Sequence, residues 1–370
     1  MELVQYIGLM ASLVEKETTL NGQNFCKFCY LPNAMVACEH CHSVNYCSEK
    51  CKKQDFKYHS KWCGAVIATL GVDYEIRSAG KGKGMGVFAL RKFDVGDKII
   101  VERCVVSIGP QTNELQKHKM LDSELSKAPP GVKQAVAKLS PEGTPTDSED
   151  EKILLEAFPA YFKFKHNTFD LEPGTGLCIH TSRFNHSCIA NCCRQYIADQ
   201  KLMVVSAGLR IDVGEEMTIC YTEKCMVDGF EKHRQSMHDT WGFSCNCKAC
   251  NDEDDLQATL VKLAKMDRLL GSLAEQKKAK LAHNVGKKML AIYEKAPIRS
   301  FHFQRTYYDM FQMAILQTQT LPLARDCLDS ALKYYEYLLG GSKPECEELQ
   351  TIRKYIENIE AHPLYLALEQ

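Results

Sequence analysis

Eight thiol and imidazole side chains crowd a short stretch near the start of the chain. They are spaced Cys26-x2-Cys29-x8-Cys38-x2-Cys41-x5-Cys47-x3-Cys51-x7-His59-x3-Cys63. A structural zinc ion takes four such ligands in a closed tetrahedron, so eight donors in tight pairs suit two ions. A pair separated by two residues chelates through one tight turn. Cys47 with Cys51, and His59 with Cys63, stand four apart and can share one face of a helical turn. Coordination then replaces the apolar core that so short a segment cannot build. A second group, Cys245-x-Cys247-x2-Cys250, offers three thiols and needs a fourth from elsewhere.

Three further segments join that triplet. Residues 80–89 read Gly-Lys-Gly-Lys-Gly-Met-Gly-Val-Phe-Ala, residues 183–191 read Arg-Phe-Asn-His-Ser-Cys-Ile-Ala-Asn, and residues 214–221 read Gly-Glu-Glu-Met-Thr-Ile-Cys-Tyr. The triplet itself sits in Trp241-Gly242-Phe243-Ser244-Cys245 and the residues that follow. A glycine-rich loop can cradle phosphate, but a dinucleotide site needs a helix after it. Val87-Phe88-Ala89-Leu90 reads as strand instead, which argues against such a site.

The first cysteine block resembles the MYND zinc finger along its whole length. That resemblance implies interleaved ligands: Cys26, Cys29, Cys47 and Cys51 on one ion, and Cys38, Cys41, His59 and Cys63 on the other. The four later segments, in this order, resemble the SET domain of protein-lysine methyltransferases over about 180 residues, from Asp73 to Cys250. Proteins that combine SET and MYND domains also carry a helical C-terminal domain. The implied cofactors are S-adenosyl-L-methionine and three zinc ions. Lys83, Gly84, Met85 and Gly86 would bring backbone against the cofactor, and Asn185 and His186 would contact it. Tyr221 matches the catalytic tyrosine and Phe243 the aromatic residue between cofactor and lysine channel; Asn167 is a further candidate contact. Cys188 would complete the third zinc with Cys245, Cys247 and Cys250, although Cys192 and Cys193 lie close by in sequence. Two features depart from the family pattern. The finger precedes the glycine-rich motif rather than following it, and Trp241 stands where many relatives place a channel tyrosine.

The implied reaction moves a methyl group from a sulfonium to an amine, which must be neutral to attack. Free lysine, with a pKa near 10.4, is less than about 0.1% deprotonated at neutral pH. A narrow aromatic channel desolvates the ammonium and lowers that pKa. Alignment can then supply much of the rate without a strong base.

The elements that must position these groups are legible in outline. The expected fold is α+β and multidomain: a β-rich SET fold with pseudoknot, the finger, a cysteine-rich zinc segment after the SET domain, and an all-α, tetratricopeptide-like C-terminal domain. The boundaries read as an N-terminal helical segment over 1–23, the finger over 24–65, the SET domain over 72–243 with a helical insertion near 112–164, the zinc segment over 244–251 and helices over 252–370. Short β-rich runs (VDYEIRS, GVFAL, KIIVERCVVSIG, KLMVVSAG, EMTICY) separated by turns such as Phe93-Asp94-Val95-Gly96-Asp97 carry the middle region. Apolar residues at helical spacing fill the chain after Cys250, suggesting stacked antiparallel helix pairs.

Composition bounds the functional classes. The 370 residues hold 46 basic and 47 acidic side chains, for a net charge of −1, which excludes wholesale polyanion binding. Nineteen cysteines without a recognisable secretory leader in the first twenty residues favour metal ligation in a reducing compartment over disulfides. Eleven cysteines are accounted for by the three zinc sites. Cys104, Cys178, Cys192, Cys193, Cys220, Cys225, Cys327 and Cys346 read as small core hydrophobes or surface thiols. No run approaches the ~20 apolar residues of a membrane span.

The leading expectation is a lysine methyltransferase acting on histone or other protein lysines. The alternative is a MYND and helical-repeat scaffold or transcriptional regulator whose SET domain is weak or inactive. Expected partners are protein or peptide lysine substrates, with histone tails among them, and proline-containing peptides at the finger. Lys50, Lys52, Lys53, Lys57 and Lys61 give the finger a basic face for weak nucleic-acid contact. A monomer, no membrane association, and a cytoplasmic and nuclear distribution complete the expectation.

Overall fold

The computed structural model describes residues 25–80, 83–111, 113–139, 148–171, 173–222, 230–297, 300–339 and 346–367. The expected N-terminal helical segment over 1–23, most of the polar loop at 140–148, Lys81, Gly82 and Cys225 lie outside the described residues. The chain divides into two compact units, each assembled from several segments. Met1–Lys92, Glu102–Asn185 and Asp212–Met217 form the first; Phe93–Val101, His186–Ile211 and Thr218–Gln370 form the second.

In the first unit, the finger pairs two short strands, β1 (Val36–Ala37) and β2 (Asn45–Tyr46), ahead of helix α1 (Glu49–Trp62). Ser48 caps α1 by accepting the Cys51 N–H at 3.3 Å, which satisfies one of the donors a helix start leaves open. Buried around these elements are Ala34, Tyr46 and the sulfurs of Cys26, Cys29, Cys38 and Cys51, so thiols occupy the place of an apolar core. Next comes an antiparallel hairpin of β3 (Tyr74–Ser78) and β4 (Met85–Ala89), with Ile76 opposite Val87 and Ser78 opposite Met85. The glycine-rich motif is therefore a hairpin turn rather than the strand-to-helix turn of a dinucleotide site. Its Gly84 has φ +67°, a conformation that strains any side-chain-bearing residue. Met217 pairs with Val87 and Glu216 with Phe88 on the other edge of β4.

Helices α2 (Glu114–Lys127), α3 (Pro130–Ala137), α4 (Glu149–Ala157) and α5 (Tyr161–Asn167) follow in the chain. Pro130 opens α3, where a residue without an N–H costs nothing. Leu121, Val132, Val136 and Phe164 from these helices bury against Val106, Ile108 and Leu177. Those last three residues belong to the sheet β6-β8-β7, built from Val106–Ile108, Thr175–Leu177 and Thr168–Asp170.

In the second unit, β10 (Cys192–Ile197) and β11 (Leu202–Ala207) pair antiparallel, and β5 (Lys98–Arg103) lies beside β11. Strand β10 was not among the runs expected from sequence; Arg194, Gln195 and Tyr196 disguise its alternation. Helix α6 (Phe230–Trp241) is also unforeseen. The helical region then runs through α7 (Leu256–Glu275), α8 (Ala279–Tyr293), α9 (Ser300–Ala314), α10 (Leu321–Leu339) and α11 (Glu347–Glu357), with α8 to α11 each packed on the helix before it. Helix α10 also covers the sheet. Lys98 Nζ donates to the Tyr337 carbonyl at 2.7 Å, and the Ser206 hydroxyl to the Leu338 carbonyl at 3.3 Å. No helix among the described residues is long and apolar enough to cross a membrane.

Candidate active site and thiol centres

The finger brings its eight donors into two sets of four. Cys26, Cys29, Cys47 and Cys51 form one, and Cys38, Cys41, His59 and Cys63 the other, with ligand atoms in each set within 4.8 Å of one another. Cys29 and Cys47 sulfurs lie 3.5 Å apart, as do Cys47 and Cys51; Cys38 and Cys63 lie 3.7 Å apart. His59 Nε2 stands 3.2 Å from Cys38 Sγ and 3.5 Å from Cys41 Sγ. A tetrahedron with ~2.3 Å zinc–sulfur arms has edges of about 3.8 Å, so these spacings fit the ion. The four-residue pairs do not share one helical face as the spacing suggested. Cys47 precedes the Ser48 cap and Cys63 follows Trp62, so α1 carries Cys51 and His59 while its two ends hold the others.

The thiols of the second set differ in how readily they ionise. Burial opposes ionisation of Cys38, yet hydrogen bonds from the Cys41 and His40 amides hold its thiol below the usual range; burial pushes Cys63 up to about 12. Burial also keeps the His59 imidazole low, hence neutral at pH 7, the form that ligates metal. Close thiols resist joint ionisation unless a cation lies among them.

The second unit gathers a third set: Cys188, Cys245, Cys247 and Cys250. Cys188 Sγ is 3.6 Å from Cys250 and 4.0 Å from Cys245. Hydrogen bonding from Cys188 foremost brings Cys247 down to about 5 and lowers Cys245; on Cys250 the same Cys188 bond also pulls down, but Cys245, Cys247 and burial together drive that thiol up. Cys192 and Cys193 are in strand β10, opposite Ala207 and Ser206, and stay outside the set. Cys188 is thus the fourth thiol.

Cys188 also links this set to the aromatic residues singled out above. His186 Nδ1 accepts the Tyr221 N–H at 3.0 Å, which leaves the ring proton on Nε2. That nitrogen faces Cys188 Sγ at 3.5 Å, as metal-bound thiolates commonly receive N–H groups. Tyr221, two residues beyond β12 (Glu216–Ile219), packs its ring 5.3 Å from His186, 5.5 Å from Trp241 and 6.5 Å from Phe243. Trp241 ends α6, and Phe243 follows Gly242, whose φ of +75° lets the chain turn there. The sequence reading missed His233. It is wholly buried on α6, with Nε2 3.1 Å from Cys188 Sγ and Nδ1 without a hydrogen-bond partner among the described residues. The near-absence of apolar residues in α6 hid that helix and its inward histidine.

The first unit holds the remaining candidates. Asn185 donates through Nδ2 to the Met85 carbonyl at 3.2 Å and to Glu216 Oε1 at 2.8 Å, so both amide hydrogens are placed. Gly86 lies under this pair: a Cβ there would sit 2.7 Å from Glu216 Oε1 and 3.1 Å from Asn185 Nδ2. Lys83 and Gly84 form the exposed end of the hairpin, with Met85 half-buried. Asn167, at the end of α5, donates to its own helix at the Lys163 carbonyl, 2.9 Å away. Glu102, another residue the sequence did not single out, is buried and accepts the Thr181 N–H and hydroxyl at 2.6 Å each and the His180 N–H at 3.1 Å. Its partners are almost eighty positions away, so no local pattern revealed them. It anchors the turn that leads to Asn185.

Comparison with known proteins agrees with this layout. The MYND finger family matches residues 26–63 and the SET domain family residues 84–222. The chain is 24% identical over 246 residues to the mouse (Mus musculus) histone-lysine N-methyltransferase SMYD3, covering 62% of this chain and 52% of that protein. The human (Homo sapiens) SMYD3 gives 24% over 245 residues with the same coverage. A putative SET domain-containing protein, L678, of Acanthamoeba polyphaga mimivirus is 28% identical over 109 residues, 30% of this chain and 39% of that protein. The chain spans about half the length of the SMYD3 proteins it matches. The chain thus carries, in order, a segment matching the MYND finger family over residues 26–63, which holds two of the thiol sets described above, and a segment matching the SET domain family over residues 84–222, which holds Cys188, Asn185, His186 and Tyr221.

Proposed function

We propose that this protein is an S-adenosylmethionine-dependent protein-lysine N-methyltransferase. The observation that carries the reading is the Tyr221 cluster: His186, Trp241 and Phe243 rings surround it, and its backbone N–H is held by an imidazole that faces the Cys188 thiol centre. S-adenosylmethionine, when bound, supplies a methyl group made electrophilic by its sulfonium. Lys83, Gly84, Met85, Gly86, Asn185, His186, Tyr221 and Phe243 are assigned to hold it. Asn185 suits that role because its two N–H donors are already engaged, which aims the amide oxygen as an acceptor. Trp241 and Phe243 would strip water from the substrate ammonium and favour its neutral form. Tyr221, as the catalytic residue, would orient the amine for in-line attack.

The three thiol sets would each hold one zinc, in structural rather than catalytic roles, since each has four protein donors and no open position. The Cys188 set would order Trp241 and Phe243 through Cys245. Proposed substrates are lysines of histone tails and of other proteins, with the finger taking proline-containing peptides. Weak nucleic-acid contact would fall on exposed Lys50, Lys53, Lys57 and Lys61, while Lys52 is paired with Glu39 at 2.8 Å. A monomer distributed between cytoplasm and nucleus fits this reading. Trp241, bulkier than tyrosine and without a hydroxyl, would narrow the channel and limit the number of methyl groups added; it is also what favours the scaffold reading.

The test is incubation with isotope-labelled S-adenosylmethionine and histones or a peptide array, with calorimetry of cofactor binding alongside. Methyl transfer that falls at least about a hundredfold in Tyr221→Phe is expected, with cofactor affinity kept. Neither transfer nor cofactor binding by the wild type would overturn the enzymatic reading, and full activity in Tyr221→Phe would overturn the residue's role.

A further inference from the structure

From sequence, Cys104 and Cys178 read as small core hydrophobes or surface thiols. They are adjacent, with sulfurs 2.7 Å apart. That is closer than the ~3.5–4.0 Å at which even carbon atoms rest in contact. Both belong to the first unit, and neither is part of a zinc set. The surrounding backbone holds them there. Val105, next to Cys104, donates its N–H to the carbonyl of Leu177, next to Cys178, at 2.7 Å. On either side β6 pairs with β8, and Glu102 binds the Thr181 backbone. Gly176 leaves the space Cys104 occupies, since a Cβ there would lie 2.8 Å from its sulfur. The two thiols differ in access: Cys178 is fully buried, and Cys104 is half-buried.

We propose that Cys104 and Cys178 form a hydroperoxide-reactive dithiol that closes reversibly to an intramolecular disulfide, a modification site separate from the zinc centres and from the methyl-transfer residues. The accessible Cys104 thiolate attacks the outer oxygen of the hydroperoxide. A sulfur–oxygen bond forms, the oxygen–oxygen bond breaks and an alkoxide (hydroxide, for hydrogen peroxide) leaves, giving Cys104 sulfenic acid; the alkoxide becomes the alcohol by taking up the proton Cys104 had released to solvent. Cys178 sulfur then attacks the sulfenic sulfur. The sulfur–sulfur bond forms, the sulfur–oxygen bond breaks, and the departing hydroxide takes the Cys178 proton as water. In sum, two thiols are oxidised by two electrons, one peroxide bond is reduced, and a dithiol reductant restores the starting state. The final bond length of about 2.05 Å requires only a small closure from the observed separation. Burial pushes the Cys178 thiol well above the usual range, which keeps it protonated and reserves the first attack for Cys104.

The experiment uses the zinc-loaded protein, treated with hydrogen peroxide and then blocked with N-ethylmaleimide. Non-reducing digestion and mass spectrometry follow, with zinc content measured on the same samples. A peptide pair joined through Cys104 and Cys178 is expected to rise from near none to most of the chains while zinc content holds, and to vanish on treatment with dithiothreitol. In Cys178→Ser, dimedone is expected to capture a sulfenic acid on Cys104. In Cys104→Ser, which alters the more exposed thiol, Cys178 is expected to stay unoxidised. Full alkylation of Cys104 and Cys178 after peroxide would overturn the proposal. So would a cross-link that appears only once zinc has been released, or oxidation of Cys178 in Cys104→Ser.

Discussion

Gly86→Ala is a sharp probe of the proposed cofactor strand. The new methyl would lie 2.7 Å from Glu216 Oε1, 3.0 Å from Ala79 Cβ and 3.1 Å from Asn185 Nδ2. The nearest of these atoms is the end of a flexible side chain, so the fold can accommodate the change by swinging Glu216 aside. That movement breaks the 2.8 Å hydrogen bond from Asn185. A hydrogen bond to a charged acceptor contributes ~1.5–3 kcal/mol. If that bond fixes Asn185 for the cofactor, affinity falls by about ten- to a hundredfold. Calorimetry with S-adenosylhomocysteine measures it, and a double-mutant cycle tests the cause. Glu216→Ala alone also frees Asn185, so adding Gly86→Ala to it should cost little more. Wild-type affinity in Gly86→Ala, or additive losses in the double variant, would refute the argument.

Cys188→Ala removes one sulfur from the third set, and metal analysis should return two zinc ions per chain instead of three, with methyl transfer lost; three retained ions would reassign the fourth ligand. Glu102→Gln replaces a buried carboxylate that accepts four hydrogen bonds, the fourth from the Tyr30 hydroxyl at 3.4 Å, and should destabilise the first unit by ~2–4 kcal/mol in urea unfolding. A shift below ~0.5 kcal/mol would show that the anchor is dispensable. Burial raises the Asp309 carboxyl to about 6 from its ordinary 3.8, against the pull of Arg305. Because the folded value is the higher one, its contribution is fully present below about pH 4 and is lost as pH rises through 6. Asp309→Asn should therefore raise Tm at pH 7.5 and lose that advantage towards pH 4; an equal change at both would contradict it.

What was legible in the sequence was chemistry held in short spacings. The eight finger donors lie close along the chain, so turns and one capped helix suffice to gather them. Gly84 marked its turn because a φ of +67° is reached at least cost by glycine, although Tyr30 and Asn33 adopt similar angles in this chain. The long helices after Cys250 were visible through periodicity sustained over 15 to 20 residues, as in α7 and α8. Helix α6 escaped because its inward face is built from Phe230, His233 and Met237, too few apolar positions to mark a period. Strand β10 escaped because three half-buried residues, Arg194, Gln195 and Tyr196, interrupt its alternation.

The residues that stayed hidden share a physical reason: their roles are set by partners distant in sequence. Glu102 ends an apolar strand and reads locally as an exposed terminus, yet it is desolvated and compensated by donors at His180 and Thr181. Glu216 lies in a quoted motif, but its link to Asn185 and Gly86 exists only once β12 pairs with β4. His233 gains meaning only beside Cys188, forty-five positions earlier. Each of these polar groups supports a residue recognisable by type rather than replacing it. A spacing pattern can therefore identify which atoms meet a metal or a cofactor, whereas what holds those atoms still depends on which strands and helices become neighbours. The same logic separates the two kinds of cysteine here. Zinc sets reveal themselves because most of their ligands come in local pairs, while Cys104 and Cys178, seventy-four positions apart, meet only through the pairing of β6 with β8.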